Sequence, residues 1–189
     1  KTCHVTCHTA LDKAVSQGLL LKNPAAACKA PTTHPKEMQV LAQEEMQRLL
    51  IQAKEDGCYE LLLLDLTTGL RRGELLALQW DDLDFQTGEL RITRQVQRIR
   101  GELTITQPKT RSSSRSIILP KVILDILKNH RQCTGSRWMF PSPRKEDSPR
   151  DPAAVRKKLS TILERAGCKH VRFHDLRHTF ATNALEHGM

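Results

Sequence analysis

A chain of 189 residues with 39% hydrophobic side chains can bury a core, fills one domain or one domain with part of a neighbour, and is not disordered throughout. Its 30 Lys and Arg against 21 Asp and Glu leave a formal net charge of +9, which favours a polyanionic partner because each cation set on a phosphate releases condensed counterions. No run approaches about 18 consecutive apolar residues, so no membrane span or membrane partner is expected. The six cysteines, at 3, 7, 28, 58, 133 and 168, are scattered and read as reduced thiols of a cytoplasmic protein, not as a disulfide framework.

The chain opens on Lys1 without an initiating Met and is read as starting partway through a gene product. Residues 3–20 have helical spacing at Val5, Leu11, Ala14 and Val15, and Gly18 loosens the end. Asn23-Pro24 breaks the pattern, and residues 25–37, with two further prolines, predict a linker. Helices are expected at Glu44–Ala53, at 58–68 (a buried one) and, after the Thr68-Gly69 bend, at Gly73–Gln79. The period then shortens to two. Glu89–Gln97, Leu103–Gln107 and Ser116–Leu119 predict a small three-stranded antiparallel sheet. Helices resume at Lys121–Arg131, Pro152–Ala166 and His174–His187, with Pro141, Pro143 and Pro149 in a surface loop. The expected class is α+β, mainly helical with one small sheet.

Three separated pieces carry chemistry. In Thr68-Gly69-Leu70-Arg71-Arg72-Gly73-Glu74-Leu75, an arginine sits on a bend where its guanidinium can project into a cleft, and Glu74 can orient it by a bidentate pair. In Gln107-Pro108-Lys109-Thr110-Arg111-Ser112-Ser113-Ser114-Arg115, a lysine stands at the tip of an expected hairpin among hydroxyls that can bond phosphate oxygens. In His174-Asp175-Leu176-Arg177-His178-Thr179, His174 and Arg177 share a helix face and can meet one phosphate. Each piece also has a plain reading: a surface arginine, a solvated basic loop, a helix start whose Asp175 suits the helix dipole.

Together, in order and spacing, the three resemble the tyrosine recombinase family of phage and transposon integrases. The resemblance matches the first catalytic Arg to Arg71 rather than Arg72, the catalytic Lys to Lys109, and the second box to His174 and Arg177. Trp80-Asp81-Asp82-Leu83-Asp84 also matches the stretch after the first box. It implies a tyrosine recombinase catalytic core over 38–189, with 1–24 as the last helix of the preceding core-binding domain and 25–37 as linker. It further implies double-stranded DNA at recombination sites as substrate, a tetramer on DNA (a monomer off it for this chain), no cofactor, no metal, and a bacterial or phage-encoded cytoplasmic protein. The chemistry implied is strand cleavage and rejoining through a 3′-phosphotyrosyl link. Arg71 and Arg177 would take the charge of the phosphate oxygens, Lys109 would be the general acid and His174 would bond a phosphate oxygen or assist proton transfer, with Glu74 and His178 supporting them.

The family's nucleophilic Tyr lies beyond the second box. This chain has a single tyrosine, Tyr59, in an apolar helix and expected in the core. A chain ending at Met189 is therefore expected to bind DNA but not to cut it. Arg91, Arg94, Arg98, Arg111 and Arg115 are expected to face DNA, although strand alternation places some of them on opposite faces. Trp138 and Phe140 are expected to anchor the core. One alternative is a non-catalytic DNA-binding protein on a recombinase scaffold. A zinc enzyme is a weaker alternative, through His174 and His178 or through Cys3-His4 and Cys7-His8, because Arg177 would repel a cation and four ligands do not converge.

Overall fold

The computed structural model describes residues 2–29, 38–107, 115–145 and 147–186. Two compact units divide the chain, residues 1–37 and 38–189. The first contains α1 (Thr2–Ser16) and a 3-10 turn (Pro24–Ala27). The Asn23 side chain caps that turn, accepting from Ala25 N at 2.8 Å, while its Nδ2 donates to His8 O at 3.0 Å and Asp12 Oδ1 at 2.6 Å. One asparagine thus folds the turn back on the helix.

The second unit holds α2 (Gln43–Glu55), α3 (Tyr59–Thr68), α4 (Arg72–Leu76), a 3-10 turn (Trp80–Asp82), β1 (Glu89–Ile92), β2 (Gln95–Ile99), β3 (Glu102–Thr106), β4 (Arg115–Ile118), α5 (Lys121–Gln132), α6 (Pro152–Arg165) and α7 (Phe173–Glu186). α3 is half leucine and packs against α2, α5 and α7; Leu61, Leu62 and Leu64 are buried in it. Trp138 and Phe140 are fully buried, as expected of core anchors.

The class agrees with the sequence reading; the strand pairing differs. The strand expected over Glu89–Gln97 is broken at Thr93-Arg94. β1 pairs with β4 and β2 pairs with β3, both antiparallel, giving two two-stranded sheets in place of one three-stranded sheet. Arg94 supplies a reason: it turns back to Asp82, with NH1 to Oδ2 at 3.2 Å and NH2 to Oδ1 at 3.0 Å. The helix expected over Gly73–Gln79 ends at Leu76, because Gln79 forms a bridge with Trp138. Tyr59, expected in the core, is half-buried at the start of α3.

Candidate active site

The bend between α3 and α4 is built by Gly69 and Glu74. Gly69 ends α3 in the left-handed region at φ 57, and a Cβ there would collide with the Phe180 ring of α7. Glycine is therefore required twice, for its conformation and for the close approach of α7. Arg71 follows as the N-cap of α4. Its backbone N–H donates to Glu74 Oε2 at 3.0 Å, and its guanidinium reaches Glu74 Oε1 at 3.0 Å while remaining 59% exposed.

Glu74 itself is buried and has a second arginine. Arg115, at the start of β4, donates to Oε1 at 3.2 Å and to Oε2 at 2.8 Å. Burial alone would push this carboxyl up, but the hydrogen bonds from Arg115 and Arg71 outweigh it and hold the group below the usual carboxylate range. The carboxylate thus joins the bend to the strand that follows the Lys109 segment. Lys109 and Arg111 lie outside the described residues.

α7 presents the other half. Asp175 accepts the Arg172 N–H at 2.8 Å and both Nε and NH2 of Arg172, at 3.0 and 2.7 Å, which fixes the helix start. The Arg172 side-chain bond, ahead of the opposing burial, lowers the Asp175 carboxyl below its ordinary value. Further along α7, Thr179 Oγ1 accepts from Leu41 N at 3.2 Å, a buried tie to the segment before α2. On this anchored helix His174 is exposed, and its ring meets that of His178 edge-on, centroids 4.8 Å apart. Arg177 donates to the carbonyl of Gly69 at 2.5 Å. The second box is therefore held directly on the bend that presents Arg71.

A cavity of about 600 Å³ opens here, lined by the starts of α4, α6 and α7 and by β2. His174 and Arg177 line it together with Arg72, Arg98, Arg156 and Arg172, and among the described residues no carboxylate does. Arg71 is not on its wall; it stands beside it, paired with Glu74. Of the arginines expected to face DNA, Arg94 is engaged with Asp82, Arg98 with Asp151 at 2.6 Å, and Arg115 with Glu74. Arg91 is exposed, and its side chain has no hydrogen bond among the described residues.

Sequence reasoning assigned no role to three residues, Arg72, Arg156 and Asp65. Arg72 and Arg156 lie 84 positions apart and meet only in the folded cavity. Asp65, on α3, is fully buried, and neither carboxyl oxygen has a hydrogen-bond partner among the described residues. Burial pushes it well above its ordinary value, opposed only by the charge of Arg177. Its signal was an acid inside an otherwise apolar run, Leu61 to Leu66. Among the described residues no group of three or more His, Cys, Asp or Glu could hold a metal ion.

A helical core with small antiparallel sheets thus holds an arginine bend, clamped by a second helix, beside a basic cavity that no carboxylate lines among the described residues. The phage integrase family model matches residues 39–189, and the chain belongs to that family. A tyrosine recombinase XerC-like protein of Caldanaerobacter subterraneus subsp. tengcongensis is 32% identical over 96% of this chain and 54% of its own length. Tyrosine recombinase XerA of Pyrococcus furiosus is 32% identical over 89% of this chain and 53% of its own. The chain thus spans about half the length of these curated relatives. A Tn1549 transposon integrase, solved in complex with a circular intermediate DNA, matches all of this chain and 66% of its own with a TM-score of 0.80 and 22% identity, a likeness of fold.

Proposed function

We propose that this chain is the phosphate-binding core of a site-specific DNA recombinase that cuts and rejoins strands through a 3′-phosphotyrosyl intermediate. The observation that carries the reading is the seating of Arg177 on the Gly69 carbonyl, which sets the His174–Arg177 face of α7 against the bend bearing Arg71. Two guanidiniums and an imidazole from different elements can then surround the non-bridging oxygens of one phosphodiester and offset the charge that grows on them in the transition state. Glu74 positions Arg71, and His178 supports His174. Lys109 is assigned to protonate the departing 5′-oxygen. Tyr59, half-buried at the start of α3, is not the nucleophile; the attacking tyrosine comes from outside residues 1–189.

The substrate is double-stranded DNA at recombination sites, and assembly into a tetramer accompanies binding to two duplexes; off DNA the chain is a monomer. A lambda integrase tetramer bound to a Holliday junction has this fold with a TM-score of 0.74 and supports that arrangement. Residues 1–24 are assigned to the end of a preceding DNA-binding domain, with 25–37 as linker, in a cytoplasmic protein.

The test is covalent trapping of the full-length gene product on a nicked DNA duplex. Arg71→Ala should lower the trapping rate by about 10²–10³-fold, the effect of losing one preorganised oxyanion donor. Undiminished trapping would remove Arg71 from the site. Salt-dependent duplex binding with no covalent adduct would favour a non-catalytic DNA-binding protein on the same scaffold.

A further inference from the structure

We infer that Arg72 and Arg156 form a second phosphate subsite, which takes a neighbouring phosphodiester of the DNA strand whose scissile phosphate lies at His174 and Arg177. This rests on the reading of the cavity as a DNA-phosphate site and extends it to residues outside the catalytic boxes.

The first ground is the cavity's geometry. Its volume, about 600 Å³, is that of a pocket for a ligand of many atoms rather than for one tetrahedral anion. His174 and Arg177 line it from α7. Arg72 lines it from the start of α4, and Arg156 from the first turns of α6. The floor between them is closely packed. A Cβ on Gly73 would stand 2.7 Å from the Val96 carbonyl, so α4 rests directly on the β2 backbone. Arg98 of β2 reaches Asp151, which also caps α6 by accepting from Ala153 N at 2.8 Å. The two supports of the subsite are thereby tied to the same strand.

The second ground is the charge left over. Arg98 and Arg172 also line the cavity, but each is neutralised, by Asp151 and by Asp175. The side chains of Arg72 and Arg156 make no hydrogen bond or ion pair among the described residues. Arg72 is half-buried; burial first, and the Arg156 charge second, push its guanidinium below its ordinary value, with only the Asp151 charge opposing them. Two arginines that repel one another, one of them partly out of water, cost the fold free energy with only the charge of Asp151 to offset it. A phosphodiester between them supplies the missing counter-charge. Guanidinium forks suit its paired oxygens.

The experiment uses the chain as it is, with a fluorescently labelled DNA duplex followed by anisotropy over a salt series. Each arginine that holds a phosphate contributes about 0.9 to the magnitude of the slope of log K against log salt. Arg72→Gln and Arg156→Gln should each flatten the slope by about that amount, and the double variant by about twice that. Arg72→Lys should keep most of it. Melting temperature is read alongside: the Gln variants should melt at or above the wild type, because each relieves a repulsion, whereas a structural arginine would lower it. Arg156 is exposed and unpartnered, so its variant reports even where Arg72→Gln fails to fold. Wild-type binding that weakens with salt, together with unchanged slopes in the variants, overturns the subsite and leaves the DNA reading standing. A wild type with no salt-dependent duplex binding overturns both.

Discussion

Two buried carboxyl groups flank the α3–α4 bend and behave in opposite ways. Glu74, just after it, accepts bonds from two guanidiniums and one backbone N–H and is held ionised. Asp65, one turn before it, has none and is driven towards its neutral form. Both side chains are shielded from solvent, Asp65 the more deeply, and only Glu74 is supplied with donors. On the Glu74 side the bend is wired by charge. On the Asp65 side it rests on apolar packing, with a proton as the cheapest way to keep the acid inside.

The largest expected effect comes from taking a donor away from Glu74. Arg115→Ala leaves a buried carboxylate with only the half-exposed Arg71, and should cost about 3 kcal/mol in urea unfolding. A loss under about 1 kcal/mol, the surface-pair range, would mean that Arg71 alone satisfies the carboxylate. The same variant should weaken duplex binding, because Arg71 loses the partner of its partner. Next comes Gly69→Ala, at about 2 kcal/mol. The left-handed backbone accounts for about 1 kcal/mol or more of this, and the collision with Phe180 for the rest. Because Arg177 bonds the Gly69 carbonyl, affinity for DNA should fall with stability; an unchanged affinity would separate the Arg177 contact from DNA binding.

This comparison also explains what the chain disclosed in advance. The bend and the α7 box were legible because both are local: a glycine that ends a helix, an arginine after it, and a His and an Arg three positions apart. The break at Thr93-Arg94 was not, because alternation continues through it and the cause, Arg94 turning to Asp82, is a tertiary ion pair. The early end of α4 depends on Trp138, far along the chain. The arginine run from 91 to 115 read as DNA-facing, less those that alternation turns to the opposite face, yet three of its members are engaged with carboxylates whose positions only the fold decides. Periodicity reports which face a residue takes, not who waits there.

The smallest effect tests the Asp65 side, and its sign is opposite to that of Glu74. Asp65 ionises near 3.8 in the unfolded chain but well above that in the fold. Between those values the folded state holds the extra proton. Stability from this group is therefore full below about pH 3.8 and is lost as pH rises through the folded value. Glu74, lowered in the fold, contributes above its ordinary value of 4.5 and is lost as pH falls. Asp65→Asn removes the first dependence and keeps the second. At acid pH the variant and wild type should unfold alike, because each buries one neutral, unpaired polar group. As pH rises towards neutrality the variant should become the more stable, with the difference growing by at most about 1.4 kcal/mol per pH unit. A wild type that gains on the variant over that range would mean that the ionised carboxylate has found Arg177, and that both sides of the bend are wired by charge.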